Sequence, residues 1–309
     1  MRILFCVEGT RLQPWIDGLR HALPEAQVDA WQPGAAPADH AVVWSPCQQF
    51  FDEQPRLRGV FNMGAGVDAL MRLRLPPGST VVRLDDAGMS VQMAEFVVHA
   101  VVRHFRELAA CEADAAAGIW AFRKPLVRAD FPVGVMGLGV LGARVARALQ
   151  HFEFPVRGWS RTPRQLDGVA CFAGPEGFDA FLRGTRVLVC LLPLTPQTEN
   201  IMDRTALQRL LPGGYVINVA RGGHLVDDDL LALLDEGRLA GAALDVFRTE
   251  PLPSGHPFWQ HPKITVTPHT SARTLRDETL AQIAGKIRAL EGGQPIASLA
   301  GAVHADRGY

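Results

Sequence analysis

Val133-Gly134-Val135-Met136-Gly137-Leu138-Gly139-Val140-Leu141-Gly142, followed by Ala143-Arg144-Val145-Ala146-Arg147-Ala148-Leu149-Gln150, decides how this chain is read. A short apolar strand, Val133–Met136, runs into G-x-G-x-x-G, and the last glycine leads into a helical stretch, Ala143–Gln150. In that setting Gly137 permits a tight turn, Gly139 lets the backbone approach a pyrophosphate, and Gly142 lets helix and strand pack closely. Val140 and Leu141 complete the loop, and the helix N-terminus faces the phosphates. The alternative is a glycine-rich turn with no ligand; the flanking strand and helix favour a dinucleotide site.

The next strand ends about 20 residues after the loop, where an NAD-binding unit places an acid on the ribose hydroxyls. Here it ends Trp159-Ser160-Arg161-Thr162, with Glu153 before the strand and Asp167 several residues past it. Ser160 and Thr162 offer hydroxyls and Arg161 a guanidinium, donors suited to a 2′-phosphate. NADP(H) is therefore expected in preference to NAD(H), although the same residues also suit a solvated turn.

Upstream, apolar runs at Met1–Val7, Ala41–Trp44, Val60–Met63 and Val81–Leu84 alternate with helical stretches such as Gln13–Leu23, the pattern of a parallel α/β layer. From Val91 to about Ala110 the chain reads as one uninterrupted helix, with Met93, Val97, Ala100, Val101 and His104 on one face. After the loop at Gly137, further strands are expected near Val156–Trp159, Val187–Leu192, Tyr215–Val219, Gly241–Asp245 and Ile264–Thr267, six in all with the first. The helical pattern at Thr274–Leu290 is too short to form a domain alone and is expected to pack back on the first. The expected architecture is α/β with two domains. A Rossmann-type dinucleotide-binding domain, 91–272, is inserted in a smaller flavodoxin-like α/β substrate domain, 1–90 plus 273–309.

The 309 residues are 48% hydrophobic and 20% charged, within the globular range. A formal charge of −1 gives no general pull toward nucleic acid or an anionic membrane, so small-molecule partners are expected. Cys6, Cys47, Cys111, Cys171 and Cys190 are scattered, which suggests neither a disulfide framework nor a metal cage. With a short opening strand in place of a leader and no membrane-length apolar run, a cytoplasmic protein is expected.

Three polar residues sit just beyond expected strands: Arg221 after Val216–Ala220, Glu250 after Leu244–Phe247, and His269 after Ile264–Pro268. In open α/β sheets the ligand crevice lies outside the carboxyl ends of the strands, so the three can converge on one site. Taken singly, each is an ordinary surface or structural residue. Gly64-Ala65-Gly66 follows a strand and reads equally as a tight turn or as a nest of amides for a carboxylate. Trp44, near another strand end, could wall such a pocket or simply pack there.

With these residues in view, the sequence resembles the D-isomer-specific 2-hydroxyacid dehydrogenases along its whole length. The resemblance rests on the loop at Gly137, Leu192-Pro193-Leu194-Thr195-Pro196-Gln197-Thr198, Asn218-Val219-Ala220-Arg221-Gly222, Asp245-Val246-Phe247 through Glu250-Pro251-Leu252, and Pro268-His269. The spacings also agree, with 29 residues from Arg221 to Glu250 and 19 from Glu250 to His269. Gly64-Ala65-Gly66-Val67-Asp68, Gly88-Met89, Gln92-Met93, Trp159-Ser160-Arg161 and Arg307-Gly308-Tyr309 are similar to the glyoxylate/hydroxypyruvate reductase A group within that family.

The resemblance implies reduction of a small 2-oxo acid by hydride transfer, with His269 donating a proton, Glu250 orienting it and Arg221 holding the substrate carboxylate. It implies substrate at Ala65, Gly66 and Trp44, and cofactor contacts from Leu192, Pro193, Thr198, Val219, Ala220, Asp245 and Ser271. It further implies a homodimer built on the long helix from Val91. One departure is Thr270-Ser271, where the family more often has an apolar residue and alanine. A reductase of a bulkier 2-oxo acid and a cofactor-sensing, co-repressor-like binding protein remain the alternatives.

Overall fold

The computed structural model describes residues 1–9 and 11–303 and divides into two compact units. One comprises Met1–Met89 with the segment from Arg273 onward, the other Ser90–Ala272. The Arg307-Gly308-Tyr309 end lies outside the described residues.

The first unit runs β1 (Arg2–Val7), α1 (Gln13–Ala22), β2 (Gln27–Ala30), β3 (His40–Trp44), α2 (Gln48–Glu53), β4 (Gly59–Asn62) and β5 (Thr80–Val82). α3 (Met89–Phe105), α4 (Leu108–Ala116), β6 (Val133–Met136), α5 (Val140–His151), β7 (Val156–Ser160), β8 (Ala170–Ala173) and α6 (Gly174–Arg183) follow. The second unit ends with β9 (Val187–Cys190), α7 (Arg204–Leu207), β10 (Gly214–Asn218), α8 (Asp227–Asp235), β11 (Leu239–Leu244) and β12 (Ile264–Val266). α9 (Arg276–Glu291) belongs to the first unit.

The first sheet has the order β2-β1-β3-β4-β5, all parallel, the flavodoxin-like winding. Its central strands are buried on both faces, which is why they read as unbroken apolar runs. α9 buries Leu280, Ile283, Ala284 and Ile287 and docks against α1. There Gly18 leaves room that a Cβ, only 2.4 Å from Leu280 Cδ1, would fill.

The second sheet has the order β12-β11-β10-β9-β6-β7-β8, also parallel throughout. Counted from β6 this is the 3-2-1-4-5-6 winding with a seventh strand, and its order reverses between β6 and β9. Two strands went unread in the sequence. β2 and β8 are edge strands of mixed burial, so neither carries the apolar run that marks the central ones.

The helix expected to run unbroken from Val91 to Ala110 is two helices. Met93, Ala94, Val97, Ala100, Val101 and Phe105 of α3 are buried, and Phe105 meets Phe131 and Phe154 edge-on at 5.0 and 5.2 Å. The apolar stripe stops there. Glu107 takes a left-handed conformation (φ 51°) and α4 buries none of its residues.

Candidate active site

The glycine loop lies where the winding of the second sheet reverses. The Gly137 amide donates to Trp159 O at 2.8 Å, and the Leu191 amide donates to Met136 O at 2.9 Å, so the ends of β6, β7 and β9 are tied together. Gly137 is left-handed (φ 98°) and packs on the Leu191 carbonyl. A Cβ on Gly142 would lie 1.8 Å from Gly137 O, so α5 approaches the loop as closely as glycine permits. Gly139 has nothing within 4 Å of where a Cβ would stand. Its missing side chain leaves open space above the N-terminus of α5, the feature a pyrophosphate cradle needs. The residues present therefore fit a dinucleotide.

Ser160 closes β7, with its hydroxyl donating to Thr162 O at 2.8 Å, while Arg161 and Thr162 are exposed. Thr198 braces the loop after β9: its hydroxyl donates to Pro193 O at 2.7 Å and accepts from the Thr195 amide at 2.8 Å. Leu192, Val219 and Ala220 are buried at the ends of β9 and β10.

Arg221 follows β10 on an extended residue whose carbonyl accepts from Asn218 Nδ2 at 3.0 Å and from the His224 amide at 3.2 Å, and lies 3.0 Å from His224 Nδ1. His224 is fully buried and its Nε2 lies 3.3 Å from Pro193 O, linking the Arg221 turn to the Pro193 loop. The next residue has to be glycine, because a Cβ on Gly222 would fall 1.9 Å from the Phe247 carbonyl carbon. This contact sets the Arg221 turn against the loop that carries Glu250.

Asp245, expected at the cofactor, is fully buried and commits both carboxylate oxygens to the chain. Oδ1 accepts from the Thr267 hydroxyl at 2.6 Å and the Thr270 amide at 2.9 Å, and Oδ2 accepts from the Ser271 amide at 2.8 Å. The Asp245 carbonyl accepts from the His269 amide at 2.9 Å. Four bonds thus hold the turn in which His269 sits at φ 52°, a conformation that costs a non-glycine residue about 1–3 kcal/mol and persists because its surroundings enforce it.

That turn aims His269 at Glu250, with Nδ1 2.8 Å from Oε2. The other carboxylate oxygen accepts from the Phe247 amide at 2.9 Å. Burial raises the Glu250 pKa, but the bonds from His269 and Phe247 and the charges of His269 and Arg221 outweigh it and hold the carboxyl below its ordinary range. Glu250 is therefore ionised at neutral pH, so the Nδ1 proton points at it and Nε2 is left for another partner. A cavity of about 390 Å³ opens beside the pair, walled by Phe247, Pro251, Leu252, Trp259, Val266 and Pro268.

In the first unit, Trp44 lies on Gly64, whose Cβ would stand 2.5 Å from the indole Cζ3. The buried Asn62 side chain donates to the carbonyls of Gly64 (3.0 Å) and Gly66 (2.9 Å), which occupies the acceptors of the loop around Ala65. Sequence reading gave no role to Asn62, Asn218 or His224. Each follows or ends a strand beside a residue that was singled out, and that adjacency is the one local signal they carry. Among the described residues no group of three or more His, Cys, Asp or Glu side chains is placed to hold a metal ion.

A doubly wound sheet, a glycine cradle at its switch point and an imidazole–carboxylate pair at neighbouring strand ends define the nicotinamide-dependent dehydrogenases as a class. The model of the D-isomer specific 2-hydroxyacid dehydrogenase NAD-binding domain matches residues 98–271. Glyoxylate/hydroxypyruvate reductase A of Serratia proteamaculans (strain 568) is 46% identical over 306 residues, covering 97% of this chain and 98% of its own. A D-isomer specific 2-hydroxyacid dehydrogenase from Xanthobacter autotrophicus Py2, solved with NADPH and MES, is 40% identical with a TM-score of 0.94, over 100% of this chain and 99% of its own. The NADPH-dependent glyoxylate/hydroxypyruvate reductase of Sinorhizobium meliloti, solved with NADP and sulfate, is 35% identical with a TM-score of 0.93, over 100% and 99%. The chain belongs to the D-isomer specific 2-hydroxyacid dehydrogenase family.

Proposed function

We propose that this chain is an NADPH-dependent reductase of small 2-oxo acids, converting glyoxylate to glycolate and hydroxypyruvate to D-glycerate. The observation that carries the reading is the 2.8 Å pair of His269 and Glu250, held beside the Arg221 turn. The names of the relatives point the same way.

NADPH, when bound on the Gly137–Gly142 loop, supplies the hydride. The guanidinium of Arg221 holds the substrate carboxylate and polarises the 2-oxo group through paired N–H donors. His269 in its protonated form gives its Nε2 proton to the carbonyl oxygen as charge develops there, and Glu250 stabilises the imidazolium and fixes its orientation. In the first unit, the amides of Ala65 and Gly66 and the ring of Trp44 are the residues proposed for substrate contact. Ser160, Arg161 and Thr162 receive the 2′-phosphate. Leu192, Pro193, Val219, Ala220 and Ser271 contact the cofactor, and Thr198 and Asp245 shape the loops that do so. Residues Ser90–Ala272 then form the cofactor domain and the other unit the substrate domain.

The apolar cavity beside the pair also favours a second reading, a 2-oxo acid with a bulkier side chain. NADPH oxidation followed at 340 nm across glyoxylate, hydroxypyruvate, pyruvate and phenylpyruvate separates the two. Selectivity for the first two substrates is expected. No oxidation with any of them would overturn both readings in favour of a binding protein.

Among the described residues no helix is long and apolar enough to cross a membrane. The described cysteines are all free thiols, which suits an enzyme of the cytoplasm. The enzyme works as a homodimer: α4 buries nothing, and Trp120 (100% exposed) and Phe122 (87%) follow it, an apolar surface that calls for a partner.

A further inference from the structure

Two of the cysteines that lie far apart in sequence meet at the carboxyl end of the first sheet. β1 and β3 are parallel neighbours, with Cys6 opposite Val43 and Val7 opposite Trp44, and the Glu8 amide donates to Trp44 O at 3.2 Å. Past Trp44 the chain reverses through Ser45, which is left-handed (φ 49°), and Pro46. The reversal brings Cys47 back over the end of β1, where the Cys6 thiol interacts with both the thiol and the backbone amide of Cys47. Both residues are free thiols, Cys6 buried and Cys47 exposed. Burial pushes the Cys6 thiol up to about 12, so it stays protonated while Cys47 faces solvent.

We propose that Cys6 and Cys47 are a redox-active dithiol that a peroxide converts to a disulfide, and that this bond weakens substrate binding through Trp44. In the first step the Cys47 thiolate attacks hydrogen peroxide. An S–O bond forms, the O–O bond breaks, Cys47 is oxidised to a sulfenic acid, and the departing hydroxide leaves as water after taking a proton. In the second step the Cys6 sulfur attacks Cys47. The S–S bond forms, the S–O bond breaks, and the leaving hydroxide takes the Cys6 proton as a second water. Two thiols and one peroxide become one disulfide and two waters. A thiol reductant reverses the change, as a reducing compartment would.

The consequence for substrate rests on the function proposed above. Trp44 is separated from Cys47 by two residues, Ser45 and Pro46, and its ring lies on Gly64 of the loop proposed for substrate contact. Drawing Cys47 from contact to bonding distance of Cys6 displaces the turn that positions that ring. Oxidation should therefore raise KM for the 2-oxo acid more than it lowers kcat.

The test uses the full-length protein treated with stoichiometric hydrogen peroxide and digested without reductant. Mass spectrometry should find the Cys6 and Cys47 peptides joined, two hydrogens lighter than their sum, and separated again by dithiothreitol. Cys6→Ser should stop at a sulfenic acid on Cys47 that dimedone traps, and Cys47→Ser should protect Cys6. Both variants should keep the activity of the reduced enzyme and lose the severalfold rise in KM on peroxide treatment. If peroxide modifies Cys111 or Cys171 and never joins Cys6 to Cys47, the dithiol is overturned. If the bond forms with KM unchanged, the coupling to Trp44 is overturned. Because the linkage is read by mass alone, its failure is distinct from failure of the reductase reading.

Discussion

The 2.8 Å contact between His269 and Glu250 is the residue-scale fact from which the chemistry follows. A positioned proton donor is worth about 100- to 10,000-fold in rate, so His269→Ala should lose that much turnover while NADPH still binds. Near wild-type turnover would remove His269 from the mechanism. Glu250 is held below its ordinary range, so its charge is present throughout neutral pH and is lost only as pH falls through that lowered value. The reductive rate should therefore fall as pH drops through the lowered Glu250 value, and Glu250→Gln, which carries no charge at any pH, should have a reduced kcat and lose that acid limb. An acid limb that persists in Glu250→Gln would assign it to another group. Arg161 can be tested through the cofactor. A charge-assisted bond contributes about 1.5–3 kcal/mol, so Arg161→Ala should raise KM for NADPH about tenfold or more and leave KM for NADH unchanged. An equal rise for both cofactors would place Arg161 away from the 2′-phosphate.

At the scale of elements, strand ends bring the site together and α3 covers the sheet behind it. His104 of α3 stacks on Tyr215 of β10, centroids 4.2 Å apart and planes at 19°. Burial, aided by the charge of Arg186, lowers its pKa from 6.5 to about 4. Between those values the unfolded chain binds more protons than the folded one, so stability is full above pH 6.5 and falls as the solution is acidified toward pH 4. The loss reaches ~3 kcal/mol if the whole shift is expressed. Thermal melts across that range should show the slope in the wild type and a flatter one in His104→Phe, which keeps a ring against Tyr215. Identical slopes would assign the acid sensitivity elsewhere.

The same scale explains what sequence could reveal. Buried parallel strands are apolar runs, and a residue just past such a run lies at the crevice, so the Gly137 loop was readable from its flanking strand and helix, while Arg221, Glu250 and His269 were marked only weakly by position and were singled out as a set through the family resemblance. Edge strands β2 and β8 carry no such run, and the break at Glu107 follows from where the apolar stripe of α3 meets Phe131 and Phe154, a tertiary fact. Asn62, Asn218 and His224 act through hydrogen bonds whose partners only the fold supplies. Cys6, near the end of β1, and Cys47, just before α2, had no local mark at all.

At the scale of the whole molecule the question is what covers α4 and the chain beyond it. Ile119, Trp120, Phe122, Leu126 and Val127 are all exposed, Trp120 completely. A net charge of −1 over 309 residues puts little long-range repulsion between copies. Burying one Trp and one Phe removes on the order of 300–500 Å² from water, roughly 10 kcal/mol gross. A two-fold axis makes each copy contribute the same surface, so the gain doubles to about 20 kcal/mol against an association cost of about 4–15 kcal/mol. That balance supports the proposed symmetric dimer. Sedimentation equilibrium at micromolar concentration should read twice the chain mass, and the double variant Trp120→Ser with Phe122→Ser should shift the equilibrium toward monomer while its circular dichroism spectrum stays that of the folded chain. A wild-type chain that sediments as a monomer, or a double variant that dimerises as tightly as the wild type, would mean that this loop is not the interface.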